Sequence, residues 1–115
     1  MSNTPVEMGE VFLVDFGEPV GHEQGCRRPA VVVSPRRFNK MMSGNAMVVP
    51  LTTKDHGKRS HIRLDHTAAG LDWPSLARCE DLRNVSQKRF SRFLGKVTAD
   101  DLHVIRETVR ILLDI

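Results

Sequence analysis

Gly21-His22-Glu23-Gln24-Gly25-Cys26-Arg27-Arg28-Pro29, running directly into Ala30-Val31-Val32-Val33, is the stretch from which the rest of the chain is best read. A polar segment punctuated by two glycines ends in two arginines where an apolar, β-branched run begins, which predicts a loop feeding a buried strand. Pro29 is compatible with that strand because it opens it. The junction plants a guanidinium at the mouth of a sheet, where a planar fork of donors can grip a phosphate bidentately. The ligand expected there is anionic.

Working outward, Glu10–Phe16 reads as a first strand and Pro29–Ser34 as the second, after the loop 17–28. Pro35 and the polar residues to Asn45 form a connection with room for one helical turn. Ala46–Thr52 is a third strand whose Pro50 implies an edge or a bulge. His61-Ile62-Arg63-Leu64 alternates polar and apolar, as a half-exposed strand does. Ala69–Pro74 is a turn-rich loop, Ser75–Val85 a further strand, and Ser86–Phe90 a short helix. Phe12, Phe16, Phe90 and Phe93 read as core. Thr98 with Asp101 three residues on resembles a capping box and opens a C-terminal helix, with Asp100 and Asp101 at the positive end of its dipole. Leu102, Ile105, Val109 and Leu112 form one stripe, expected to pack on the sheet or on a second subunit. Strands followed by a terminal helix indicate an α+β, mainly β fold: a small antiparallel barrel carrying a C-terminal α-helix.

At 115 residues, 40% hydrophobic and 27% charged, the chain is expected to be a single soluble globular domain over 1–115. No window approaches a membrane span, and Met1–Pro5 lacks the basic and apolar parts of a secretory signal. Two cysteines, Cys26 and Cys79, are too few for a disulfide framework, and the cytoplasm is the expected address. The formal charge of +3 hides an asymmetry. Residues 1–26 carry five acids and no Lys or Arg, whereas residues 27–63 carry nine Lys or Arg against Asp55 alone, a net of +8. Such a block is either an electrostatic footprint for a polyanion or a solvated face balanced by the acidic first strand.

Met8-Gly9-Glu10-Val11, Val14-Asp15-Phe16, Gly21-His22-Glu23-Gln24, Arg28-Pro29, Val31–Pro35, Asn39, Val49-Pro50-Leu51-Thr52-Thr53 and Arg78-Cys79-Glu80-Asp81-Leu82-Arg83, in this order and over nearly the whole chain, resemble the MazF/PemK/Kid toxins of type II toxin–antitoxin systems. The resemblance implies an SH3-like barrel of the MazF/PemK/CcdB type and a homodimer. It also implies a metal-independent, sequence-selective endoribonuclease held inactive by a small MazE/PemI-like antitoxin. Expected products are a 2′,3′-cyclic phosphate and a 5′-hydroxyl, with no cofactor. A CcdB-like gyrase poison, or a member that binds RNA or antitoxin without cutting, is the alternative on the same barrel.

Metal-free RNA cleavage needs a base for the 2′-OH proton, an acid for the departing 5′ oxygen, and donors for the charge on phosphorus. By resemblance, Arg28 clamps the phosphate; the other reading is an ion pair with Glu23 or a neighbouring acid. His22 matches a loop histidine that helps hold the phosphate in the Kid/PemK branch, or is an inert loop residue. Thr52 matches a threonine that contacts the scissile phosphate. Arg78 and Glu80, one residue apart on the predicted strand, face one way. They match an Arg acid and an Asp base, with Glu one methylene longer, or else form a surface pair. Glu23, Gln24, Lys54 and Arg83 are expected to contact RNA, Arg83 alternatively bracing a loop. His56, His61 and His66 recur every five residues, on opposite faces of any strand, with no ligand spacing for a metal. Trp73 reads as a packing or interface residue.

Overall fold

The computed structural model describes residues 5–17, 26–41 and 44–115. In chain order it contains β1 (Glu10–Asp15), β2 (Arg27–Val32), α1 (Arg36–Met41), β3 (Asn45–Thr52), β4 (His61–Arg63), β5 (Leu76–Arg78), β6 (Arg83–Ser86), β7 (Phe90–Lys96) and α2 (Ala99–Leu113). Two 3₁₀ turns, Cys79–Asp81 and Gln87–Arg89, flank β6. The paired strands are antiparallel in the order β4-β5-β3-β2-β1-β7, with β6 also on β3. This is the mainly β, α+β class that the sequence implies. No helix among the described residues is long and apolar enough to cross a membrane.

β1, β2 and β3 carry near-continuous apolar runs because both faces of this sheet are covered. Val11, Val31, Val49, Leu51, Ala77 and Cys79 pack with Ile105 of α2 on one side. Val14, Phe16, Ala30, Val32, Val48 and Val85 form a second cluster on the other. Helix α2 starts where the sequence places it: Thr98 Oγ1 accepts from the Asp101 backbone N–H at 3.1 Å. The Asp101 carboxylate does not return the bond to Thr98. It accepts from the Asp65 N–H at 2.8 Å and so ties the β4–β5 loop to the helix. Thr98→Ala should cost about 1 kcal/mol, the usual value of an N-cap, seen as a lower urea midpoint with an unchanged m-value. Within the predicted stripe, Ile105 is buried and Leu102 and Val109 pack against the core. Leu112 departs from it, being 48% exposed.

The expected strand Ser75–Val85 is two strands separated by the 3₁₀ turn. Pairing along β3 runs Thr52↔Leu76 and Leu51↔Ala77, then resumes at Val48↔Arg83. The returning chain therefore uses three residues more than β3 does, and Cys79–Asp81 takes them up. Pro50, which has no N–H for a ladder, lies at that break: it marks a bulge on its partner, not an edge. The chain after Arg89 forms β7 against β1, a strand the sequence does not announce because its outer residues are largely exposed. Phe93 is accordingly 55% exposed and outside the core, its ring edge-on to Phe12.

Candidate active site

The strand register gathers four of the nine candidate residues, Arg28, Thr52, Arg78 and Arg83, on one face. Directly opposed residues in an antiparallel pair share a face, and so do alternate residues along a strand. The observed pairs Val14↔Arg28, Ala30↔Pro50, Thr52↔Leu76 and His61↔Arg78 therefore carry Arg28, Thr52, Arg78 and His61 on one side of the sheet. Val48↔Arg83 adds Arg83 to the same side. It is the side of the Val14–Ala30–Val48 cluster, opposite the one that Ile105 of α2 covers.

β2 begins at Arg27, two residues earlier than the apolar run suggests, so both arginines are strand residues. Arg28 is exposed, and no described carboxylate lies within ion-pair distance of it. His22, Glu23 and Gln24, and with them the alternative Arg28–Glu23 pair, lie outside the described residues. Thr52 ends β3, buried, with Oγ1 accepting from the Lys54 N–H at 3.1 Å. That bond occupies an acceptor site and leaves the hydroxyl proton free to donate. Lys54 itself is exposed. The Arg83 guanidinium stands 5.2 Å from the Phe16 ring centroid, a cation–π brace on the residue that follows β1.

Arg78 and Glu80 do not share a strand face. Arg78 ends β5 half-buried, and its Nε lies 2.9 Å from Asp81 Oδ2, a close charge contact whose N–H is not aligned for a hydrogen bond. Glu80 sits in the 3₁₀ turn and swings toward β4. Its Oε1 accepts from Ser60 Oγ at 2.8 Å, its Oε2 lies 2.8 Å from His61 Nε2, and Lys58 Nζ stands 4.0 Å away. Partial burial pushes the Glu80 carboxyl upward. Hydrogen bonds from His61, from its own backbone N–H and from Ser60 outweigh that and hold it below the ordinary carboxylate range. Beside it, burial and then the Glu80 charge push the Cys79 thiol up to about 12, so this cysteine is an inert small hydrophobe.

His61, Ser60 and Asp81 are the participants that sequence reasoning misses. The alternation His61-Ile62-Arg63 reads as polar-out, yet His61 is buried and Arg63 exposed. No local signal announces it, because the acid that His61 meets lies nineteen residues later in the chain. The rings of His56 and His61 meet edge to face at 5.7 Å, because His56 lies on a loop and not on a shared strand. Among the described residues no three His, Cys, Asp or Glu side chains converge as metal ligands would. Trp73 is 71% exposed and packs into no core.

Comparison with known proteins gives this face its context. Residues 7–113 match the family model described as PemK-like, MazF-like toxin of type II toxin-antitoxin system. The chain is 32% identical to endoribonuclease MazF9 of Mycobacterium tuberculosis over 112 residues, covering 93% of this chain and 95% of the relative. A crystal structure of MazF from Deinococcus radiodurans superposes with a TM-score of 0.86 at 25% identity, over 98% of this chain and all of that one. A crystal structure of MazE-MazF from the same organism gives 0.80 at 26% identity, over 98% and 99% of the two chains. A nearly full-length family match, a relative above 30% identity and a shared fold agree: the chain belongs to the PemK-like, MazF-like toxins of type II toxin–antitoxin systems.

Proposed function

We propose that this chain is the toxin of a cytoplasmic toxin–antitoxin pair and cleaves single-stranded RNA at a short motif, without a metal, to 2′,3′-cyclic phosphate and 5′-hydroxyl ends. One observation carries the mechanism: three donors, Arg28, Thr52 and Arg78, share a sheet face whose border holds the hydrogen-bonded carboxylate Glu80. Glu80 takes the proton of the 2′-OH as that oxygen bonds to phosphorus; each of its oxygens keeps a lone pair beyond the bond it already accepts. The exposed guanidinium of Arg28 and the free Thr52 proton stabilise the charge that grows on the non-bridging oxygens. Arg78, whose guanidinium keeps its proton against ordinary bases, gives it to the far more basic alkoxide as the bond to the 5′ oxygen breaks. Arg83, exposed on β6, and Lys54, exposed just past the end of β3, add phosphate contacts, and His22, Glu23 and Gln24 would complete the substrate loop.

The net +8 of residues 27–63 also supports an acidic antitoxin segment that competes with RNA for this face and loosens with rising salt. Exposed Ile111, Leu112 and Leu113 on α2 supply apolar surface for the second copy of a homodimer.

The test is incubation of purified protein with total RNA in excess EDTA, with the chemistry of the fragment ends read out. Cleavage to 5′-hydroxyl ends is expected, and Glu80→Gln should slow it by on the order of 10²-fold. Cleavage that only added magnesium restores would refute the metal-free route.

A further inference from the structure

The imidazole of His61 is completely buried at the start of β4, yet it is not among the groups that touch the proposed substrate face from solvent. Its Nε2 lies 2.8 Å from Glu80 Oε2, while its Nδ1 is buried without a partner. Those surroundings assign the tautomer. An ionised carboxylate only accepts, so the proton belongs on Nε2, and Nδ1 is left as a bare lone pair. The alternative tautomer would point an unbonded N–H into the interior and set two acceptors against each other. His61 thus presents a fixed N–H donor to one oxygen of the carboxylate, and Ser60 Oγ, at 2.8 Å, fixes the other.

The charged and titratable groups around this pair are few. Lys58 and His56 come from the β3–β4 loop, at 4.0 Å from Glu80 Oε2 and 5.7 Å between ring centroids respectively. Arg78 faces His61 across the β4–β5 ladder and is drawn off toward Asp81 at 2.9 Å. Helix α2 meets the turn through Ile105, whose carbonyl lies 3.9 Å from Cys79 Sγ. Of these neighbours only Ser60 and His61 hydrogen-bond the carboxylate with their side chains. His61 alone is buried, so it alone lacks the option of turning to water.

We propose that His61 is a positioning residue: its buried Nε2–H fixes the orientation of Glu80 and keeps it an ionised proton acceptor. The inference rests on the assignment of Glu80 as the base. A carboxylate on a one-turn 3₁₀ segment has free rotation about its side chain unless something holds it, and a misaimed base loses rate without losing substrate affinity.

Three variants separate the roles. His61→Phe keeps the ring volume and deletes the donor, whereas His61→Gln places an amide N–H near the original Nε2. In His61→Phe, kcat should fall on the order of 10- to 100-fold with KM nearly unchanged. The acid limb of the kcat/KM profile should move to higher pH, because Glu80 loses a donor that favours its charged form. His61→Gln should recover at least a tenth of the wild-type kcat and return the acid limb to its place. A ¹³C-carboxyl NMR titration of Glu80 in wild type and His61→Phe reads the same contact without any substrate. If His61→Phe does not fold, His61→Asn, whose shorter amide does not reach Glu80, replaces it in every arm. An unmoved Glu80 titration, or equal losses in His61→Phe and His61→Gln, overturns the proposal. Wild-type cleavage by Glu80→Gln together with a shifted titration would instead overturn the base assignment and leave the contact standing.

Discussion

Arg28→Ala is expected to reduce RNA cleavage by on the order of 10²–10³-fold, the loss seen when one preorganised donor is removed from a developing oxyanion. The fold should be unaffected. Arg28 is exposed, and its Cα is held by the β1–β2 ladder through Val14, so its side chain is free of the core. Thermal midpoints of variant and wild type should therefore agree within about 2 °C, as for other surface changes. Arg28→Lys should fall between the two, because a lysine keeps the charge and gives up the bidentate fork. Both measurements are direct: single-turnover cleavage of a labelled oligonucleotide, and a melting curve on the same preparation. An Arg28→Ala protein that cuts RNA at the wild-type rate would remove Arg28 from the mechanism and shift the phosphate-binding role to Arg78 and Thr52. Neighbouring Arg27 supplies an internal control. It lies opposite Asp15, on the other side of the pleat from Arg28, and Arg27→Ala should leave the chemical step nearly intact.

That contrast between adjacent arginines shows where sequence reasoning works and where it stops. β1 to β3 are legible because each is buried on both faces, so burial writes itself into the sequence as an apolar run. α2 is legible because a cap and a 3.6-residue stripe are local signals. Arg28 and Thr52 are legible as strand-end residues, and the register then brings them to one face. The turn at Cys79–Asp81 is different. Nothing in Arg78-Cys79-Glu80-Asp81 breaks a strand by composition; the break is imposed from β3, where Pro50 offers no N–H. Long-range pairing of this kind leaves no local trace. The same non-local cause redirects Glu80 away from Arg78 and toward His61, nineteen positions earlier in the chain. Burial of His61 is equally a property of the packed β5 turn and not of its own strand, whose alternation points the wrong way. Phe93 fails for a related reason: an aromatic residue reads as core unless its strand is known to lie at the sheet edge.

The largest stability effect is expected at Gly70, on the loop that leads from β4 into β5. A Cβ built there would lie 1.9 Å from the Leu94 carbonyl oxygen, and the residue has φ +75°. The partner glycine across the contact, Gly95 on β7, would bring its own Cβ to 2.6 Å from the Ala69 carbonyl carbon. Two backbones thus touch where neither tolerates a side chain, and the contact anchors the β4–β5 loop to β7. Gly70→Ala combines left-handed strain with overlap against main-chain atoms that cannot rotate away. About 4 kcal/mol or more is expected, a large share of a typical domain's stability, and a thermal midpoint lower by on the order of 15 °C. The two causes can be measured apart. Gly57 has φ +68° with nothing within 4 Å of its Cβ, so Gly57→Ala reports left-handed strain alone, about 1 kcal/mol. Gly95 has no positive φ, so Gly95→Ala reports the overlap alone. Urea unfolding of the three variants should rank Gly70→Ala as the most destabilised and Gly57→Ala as the least. If Gly70→Ala costs no more than Gly57→Ala, the loop shifts away freely and its contact with β7 does not anchor it. Because the loop delivers the chain to Leu76 and Arg78, Gly70→Ala should also lower cleavage by whatever folded protein remains, by displacing β5 beneath the guanidinium it carries.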